Sequence, residues 1–291
     1  MANLKEVRTR IASVISTQQI TKAMKMVSAA KLKRAQDSIV MLRPYASKLR
    51  EIMENISGSL EGNAGGQFAV VRPVNKVLII AVSSNRGLCG AFNANVNRQA
   101  SRMIREKYAT QAKTGNVKVL AIGKKGSDFF SKLTQNYAGQ HNNVYNNLNF
   151  EFVSQVAEEV MKQFAAGEYD RVEIVYNQFK NAAVQLVVTE QLLPIVSSQT
   201  KTKAVNDYIF EPGKEELVLA LIPKAVKTQL YKAVLDSYAS EHGARMTSMS
   251  KATDNAGEIL RDLRLSYNKA RQASITGEIL EIVAGAEALN G

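Results

Sequence analysis

The segment SSNRGLCG, Ser83 to Gly90, lies between an apolar run that predicts a strand and a stretch that predicts a helix. Phosphate-binding loops occupy that position in nucleotide-binding folds, because backbone N–H groups at a helix start attract anions. Its glycines, Gly87 and Gly90, are spaced G-x-x-G. That fits neither the dinucleotide fingerprint nor the P-loop, whose last glycine is followed by lysine. The spacing predicts a tight turn needing small residues. Cys89 has no histidine near it in sequence, so it is expected to be a small buried residue and not a nucleophile. It is the one cysteine of the chain, which leaves no intramolecular disulfide to form. With His141 and His242 it makes a poor metal set. Asp170, Glu173 and Glu190 form no obvious acid pair, and Glu158 and Glu159 read as a solvated helix face. No hydrolase triad assembles, so neither catalysis nor a bound metal or cofactor is expected of this chain.

Two other groupings could recognise a partner. Lys22, Lys25, Lys31, Lys33 and Arg34 are uninterrupted by any acid between Val7 and Gln36. Asn268, Lys269, Arg271, Gln272, Thr276, Glu278 and Glu281 crowd about four helical turns near the C-terminus. The basic run reads first as a solvated face and second as a positive collar that meets negative surroundings; for the C-terminal cluster, an exposed face or a hydrogen-bonding surface for a protein partner, periodicity alone does not choose. The net charge of +12 favours a negatively charged partner: nucleic acid, anionic lipid or an acidic protein surface. The excess is concentrated at one end, with eleven lysines and arginines against four acids between Met1 and Ser57. A single-strand nucleic-acid binder would interleave aromatics with its basic residues, and the basic helix has just Tyr45.

The elements that carry these groups are unusually long. Asn3 to Ser57 predicts one helix. A seven-residue frame places Leu4, Ile11, Gln18, Lys25, Leu32 and Ile39 on one seam position and Val7, Val14, Thr21, Ser28, Ala35, Leu42 and Leu49 on the other. Between Gln18 and Ser28 the apolar residues shift to Ile20, Met24 and Val27, a drift expected of a near-straight helix. The polar seam positions there predict a loosely paired section. Pro44 predicts a kink or a joint. At the other end, Pro223 is suited to open a helix that runs to about Glu287, roughly 95 Å at 1.5 Å per residue. Its charges exclude a membrane span, and Ile275, Ile279 and Ile282 predict a buried stripe. Helices of this length need a partner, and each supplies the other.

Between them, Lys76 to Val82, Val117 to Ile122, Arg171 to Phe179 and Ala183 to Glu190 predict strands, the last two joined as a hairpin through Lys180 and Asn181. Asn93 to about Ala109, Lys125 to Leu133 and Phe152 to Ala166 predict helices, and Asn136 to Asn149 an irregular loop. Strands alternating with helices predict a mainly parallel, α/β layered unit. The expected organisation is residues 1–57 as the first coiled-coil helix, 58–72 as a linker, 73–198 as a Rossmann-like α/β domain, 199–213 as a linker and 214–291 as the second coiled-coil helix. The start, MANLKEVRTRI, lacks the apolar run of a signal peptide, which predicts a cytosolic chain or one peripheral to a membrane complex.

TQQITKAMKMVSAAKLKRAQ (Thr17 to Gln36), RPY (Arg43 to Tyr45), SSNRGLCGAFN (Ser83 to Asn93), ARMTSMSKATDNA (Ala244 to Ala256) and YNKARQASITGEILEIVAGAEAL (Tyr267 to Leu289) together resemble the gamma-subunit family of the rotary proton-translocating ATP synthases. The terminal motifs are long and specific, and the resemblance spans the whole chain in layout. It implies a fold in which a long antiparallel, left-handed coiled coil of the N- and C-terminal helices carries an inserted Rossmann-like α/β domain. It implies a non-catalytic central rotor shaft inside a hexamer of three alpha and three beta subunits, standing on an epsilon subunit and the membrane c-ring. The expected place is the cytoplasmic face of a bacterial plasma membrane, without direct insertion into it and without nucleic acid. By motif match, Lys22, Met24 and Lys25 would face acidic loops of the beta subunits. Arg271, Gln272, Thr276 and Glu278, with Arg245 further back, would hydrogen-bond a beta-subunit loop. Asn85 stands where many relatives carry Asp, and Gly277 where a longer polar residue is common; a glycine there costs about 1 kcal/mol of helix propensity.

Overall fold

The computed structural model describes residues 4–58, 66–68, 70–133, 136–195 and 214–290. The expected linker 199–213, and part of 58–72, lie outside the described residues. The chain divides into two compact units: Met1–Ser28 with Met246–Gly291, and Ala29–Arg245. Two helices belong to both units, α1 (Leu4–Gly58) and α6 (Lys214–Asn290).

The larger unit is built on a five-stranded sheet: β1 (Val77–Val82), β2 (Val117–Ile122), β3 (Tyr137–Gln140), β4 (Arg171–Phe179) and β5 (Gln185–Leu193) in the order β3-β2-β1-β4-β5. β1 runs parallel to β2 and β4, β2 parallel to β3, and β5 antiparallel to β4. The central run VLIIAV shows no alternation of polarity because both of its faces are covered. Leu78, Ile80 and Val82 pack on one face with α5 (Phe150–Ala165) and with Val226, Leu230 and Val234 of α6. Val77, Ile79 and Ala81 pack on the other with Val96, Ala100 and Met103 of α2 (Phe92–Arg102) and its continuation, and with Phe130 of α4 (Lys124–Phe130). Asn149 caps α5, its side-chain oxygen accepting from Phe152 N at 2.9 Å.

Several expectations are corrected in this unit. The helix expected over Asn93 to about Ala109 is α2 followed by a π-helical turn, Met103–Lys107, and then the short α3 (Ala109–Lys113). The wide turn brings Tyr108 and Lys107 onto Glu173 of β4, at 2.6 and 2.5 Å, so this buried carboxylate is answered from a neighbouring layer. The stretch expected to be an irregular loop contains β3 and a 3-10 turn, Asn142–Tyr145. Its strand was illegible because an edge strand of four residues, YAGQ, carries no apolar run. Pro223 does not open α6; the helix begins at Lys214 and runs through the proline. Ile222 and Val226, both buried beside it, supply packing that outweighs the roughly 3 kcal/mol cost of an internal proline.

The smaller unit is a helix pair. Arg8 meets Tyr267, Gln18 and Thr21 meet Thr253, and Lys25 meets Ser250, so rising numbers on α1 match falling numbers on α6 and the pair is antiparallel. On α6 Met249, Thr253, Ala256, Leu260, Leu263, Tyr267, Ala270 and Ser274 are covered, in alternating steps of four and three residues, and Ser250, Ala252 and Gly257 beside them are partly covered. On α1 they are Leu4, Val7, Ile11, Val14, Gln18 and Thr21, with Ser28 continuing the frame. The expected drift of the seam occurs at Met24, half-buried where the frame position Lys25 is exposed, but not at Ile20 or Val27. Thr21 is 9% exposed whereas Ile20 is 59% exposed, and Val27 is exposed beside buried Ser28. Nor is the section unpaired: Thr253 Oγ1 donates to Thr21 Oγ1 at 2.9 Å, and Lys25 Nζ to Ser250 Oγ at 2.9 Å. Hydroxyl partners on α6 hold the frame in register where apolar side chains are missing. The stripe expected to be buried at Ile275, Ile279 and Ile282 is exposed.

Candidate functional site

In open α/β sheets, ligands bind beyond the carboxyl ends of the strands, where the order of connections reverses. Here that point lies between β1 and β4, since β1 leads through α2 to β2 on one side and β3 leads through α5 to β4 on the other. The crevice is filled by α6. Ser237 Oγ donates to Val82 O at the end of β1 at 3.4 Å, and Ser240 Oγ to Asn177 O of β4 at 3.0 Å. Both serines are buried. Gly243 lets the helix backbone come close: a Cβ there would stand 3.3 Å from Ala182 Cα and O. Among the described residues no group of three His, Cys, Asp or Glu is placed to hold a metal.

The SSNRGLCG turn is a locked corner and not a phosphate cradle. Ser84 N is held by Asn93 Oδ1 at 2.9 Å, and Ser84 Oγ donates to Arg86 O at 2.6 Å. Asn85 uses both ends of its amide, donating to Asn142 O and accepting from Lys124 N, each at 2.9 Å. An aspartate could accept but not donate here, which gives the departure at this position a physical reason. Gly123, at φ 105°, closes the neighbouring loop so tightly that a Cβ would stand 2.5 Å from Ser83 O. Cys89 is buried as expected, and burial pushes its thiol pKa up, away from the reactive thiolate.

Arg245 was placed by family motif among the partner contacts, and in the structure it is 6% exposed. Its guanidinium donates to Gly87 O from Nε and Nη2 at 3.2 and 3.1 Å and to Arg86 O from Nη2 at 3.2 Å. Nη2 also meets Glu241 Oε1 at 2.7 Å, and Nη1 lies 3.3 Å from His242 Nδ1. Burial, then the Arg245 charge and then Lys31, push the His242 pKa down to about 3, so the ring is neutral and serves the guanidinium as an acceptor. Burial of Glu241 raises its pKa, an effect that Arg245 opposes. Arg86 and Arg245 are 159 positions apart, and no sequence spacing signals their meeting.

The other seven residues lie together in the helix pair, in two belts. Lys22 and Lys25 are exposed and Met24 half-buried, opposite Ser250 to Thr253. Arg271, Gln272, Thr276 and Glu278 are all exposed, with Gln272 nineteen residues or roughly 28 Å further along α6. Glu278 accepts from Ser274 Oγ at 3.3 Å, and Thr276 Oγ1 donates to Gln272 O at 2.9 Å, leaving the Gln272 amide and the Arg271 guanidinium on the surface. Exposed cations and amides along helical faces suit recognition of another macromolecule.

The two terminal helices pair antiparallel, and the α/β body is inserted between them in sequence. The ATP synthase family model matches residues 3–289, and the chain belongs to that family. It is 59% identical over 292 residues to the ATP synthase gamma chain of Flavobacterium johnsoniae and 58% identical to that of Flavobacterium psychrophilum, covering 100% of each chain. Among solved structures it is similar to a chain of the central stalk and c-ring of the Tetrahymena thermophila mitochondrial ATP synthase, at 26% identity and a TM-score of 0.60, over 80% of this chain and 99% of that one. A chain of the Euglena gracilis mitochondrial ATP synthase shares the fold at 22% identity and a TM-score of 0.67, over 98% of this chain and 94% of that one.

Proposed function

We propose that the chain is the central rotor shaft, the gamma subunit, of a proton-translocating ATP synthase. It couples proton flow through a membrane c-ring to ATP synthesis or hydrolysis at the beta-subunit sites of an alpha3beta3 hexamer, and makes or breaks no bonds itself. The observation that carries this reading is the helix pair with its two exposed belts, in a chain matched from end to end by gamma chains. One asymmetric shaft presents a different face to each of three equivalent partners, so each partner's conformational equilibrium shifts with the angle of the shaft. Lys22, Met24 and Lys25 face acidic beta-subunit loops, steered by complementary charge. Arg271, Gln272, Thr276 and Glu278 hydrogen-bond a beta-subunit loop nearer the tip. Residues 1–57 and 214–291 serve as the shaft and 73–198 as its foot, beside an epsilon subunit, with 58–72 and 199–213 as links. No described helix is long and apolar enough to cross a membrane, which suits a peripheral place on the cytoplasmic face of a bacterial plasma membrane.

Mixing the chain with alpha and beta subunits tests the reading. A complex with one copy of this chain per hexamer is expected, and recovery of an empty hexamer overturns it. Reversing the charge of Lys22, Lys25 and Lys33 together lowers proton-driven ATP synthesis in reconstituted vesicles several-fold; wild-type synthesis in the triple variant removes the charge argument.

A further inference from the structure

Where α6 crosses the carboxyl edge of the sheet, it presents one stripe at Ser237, Ser240 and Glu241, and Ala244 and Arg245, spaced by three and four residues. Ser237 takes hold of β1 and Ser240 of β4. Ala244 packs with Cys89 and Phe92, and Arg245 takes hold of the turn between β1 and α2. These small and polar side chains fix the helix at several backbone carbonyls of the body. A hydrophobic face permits slippage about the helix axis; hydrogen bonds to fixed carbonyls resist it, because rotation breaks them all together. The guanidinium is the most constrained member. Its planar fork reaches two successive carbonyls while Glu241 and His242 hold it from behind on the same helix. At the tip of the clamped turn Leu88 has φ 61° and is 63% exposed. A leucine in that backbone region persists only where its surroundings over-determine it.

We propose that the stripe Ser237, Ser240 and Arg245 is a torsional joint that hands twist between α6 and the α/β body, with Arg245 as its locking, positioning residue. The clamp is a property of the chain alone; its part in torque rests on the rotor reading. Arg245 on this view influences partners through the turn it holds, not by touching them.

Cys89 is a built-in reporter, since it is the one cysteine, lies in the clamped turn and is buried. In the full-length chain, maleimide labelling of Cys89 under native conditions is slow. Arg245→Ala raises the rate at least ten-fold, and Arg245→Lys, which keeps the charge but not the fork, raises it less. Thermal melting establishes that each variant is folded, and the lysine variant serves if the alanine one is not. Equal labelling in wild type and a folded variant overturns the clamp. In the assembled enzyme, the ratio of protons pumped to ATP hydrolysed falls several-fold in Arg245→Lys. A raised labelling rate with an unchanged ratio overturns the torque role while leaving the clamp. Failure of the wild-type chain to assemble with alpha and beta subunits sinks the rotor reading instead, and labelling still reports on the clamp.

Discussion

The α/β body and the helix pair obey opposite rules. In the body every side chain from Val77 to Val82 is buried, and buried charge such as Glu173 is answered by Lys107 and Tyr108. In the pair, Thr21 and Ser28 are inside while Ile20, Val27, Ile279 and Ile282 are outside. A body with its apolar surface turned inward is complete. The pair buries Val7, Met249 and Leu260 in its seam but also places Thr21 and Ser28 there, and it leaves Ile275, Ile279 and Ile282 on one exposed face; contiguous exposed apolar surface marks an interaction site.

Four measurements test whether the body and the pair differ in this way. The largest effect is expected for Ile79→Ala, which opens a cavity in the sheet core and lowers unfolding stability by about 2–5 kcal/mol in denaturant titration. A loss under 1 kcal/mol would mean the body is not the rigid half.

Next is pH. Burial, opposed by Lys232 and Arg43 and assisted by Glu190, raises the Asp236 pKa from 3.8 to about 6. A raised carboxyl gives stability that is full below its unfolded value and is lost as pH rises through about 6. His242, lowered from 6.5 to about 3, gives stability present above 6.5 and lost as pH falls toward 3. Between about pH 4 and 6 the two slopes oppose each other at about 1.4 kcal/mol per pH unit each. Asp236→Asn therefore uncovers a loss of stability on acidification, and His242→Gln uncovers a gain. Parallel stability-versus-pH curves for both variants and the wild type would show that neither group titrates with folding.

A smaller effect is expected at Gly277, which sits mid-helix with nothing within 4 Å of where a Cβ would stand. Gly277→Ala stabilises by about 0.5–1 kcal/mol, read as a higher melting temperature. The smallest is Ile282→Ser, which shifts the stability of the free chain by under about 0.5 kcal/mol because the side chain is 71% exposed. A loss as large as that of Ile79→Ala would show that the tip isoleucines are a hidden core, and the contrast between the two regions would vanish.

The layout of long helix, α/β unit and long helix was legible because each element announces itself through length and periodicity. The seven-residue frame located Thr21 and Ser28 correctly. Trusting residue type over frame misplaced Ile20 and Val27, because what fills a seam depends on the opposing helix, and Thr253 and Ser250 are more than two hundred residues away in sequence. Ile275, Ile279 and Ile282 show the same limit: a correct helical period says which residues share a face but not whether anything covers it. The strand YAGQ escaped because four residues at a sheet edge need little hydrophobicity. The motif singled out Arg245 as a partner contact, but not the carbonyls of Arg86 and Gly87 that it holds, because backbone carbonyls leave no trace in residue type.

The filling of the strand-end crevice by α6 has a further consequence. A fold that elsewhere houses a nucleotide is here its own ligand. The occupant is tethered, so its effective concentration is fixed by the chain and is not set by the cell. Ser237, Ser240 and Gly243 of the same chain stand against the strand ends that such a ligand would meet.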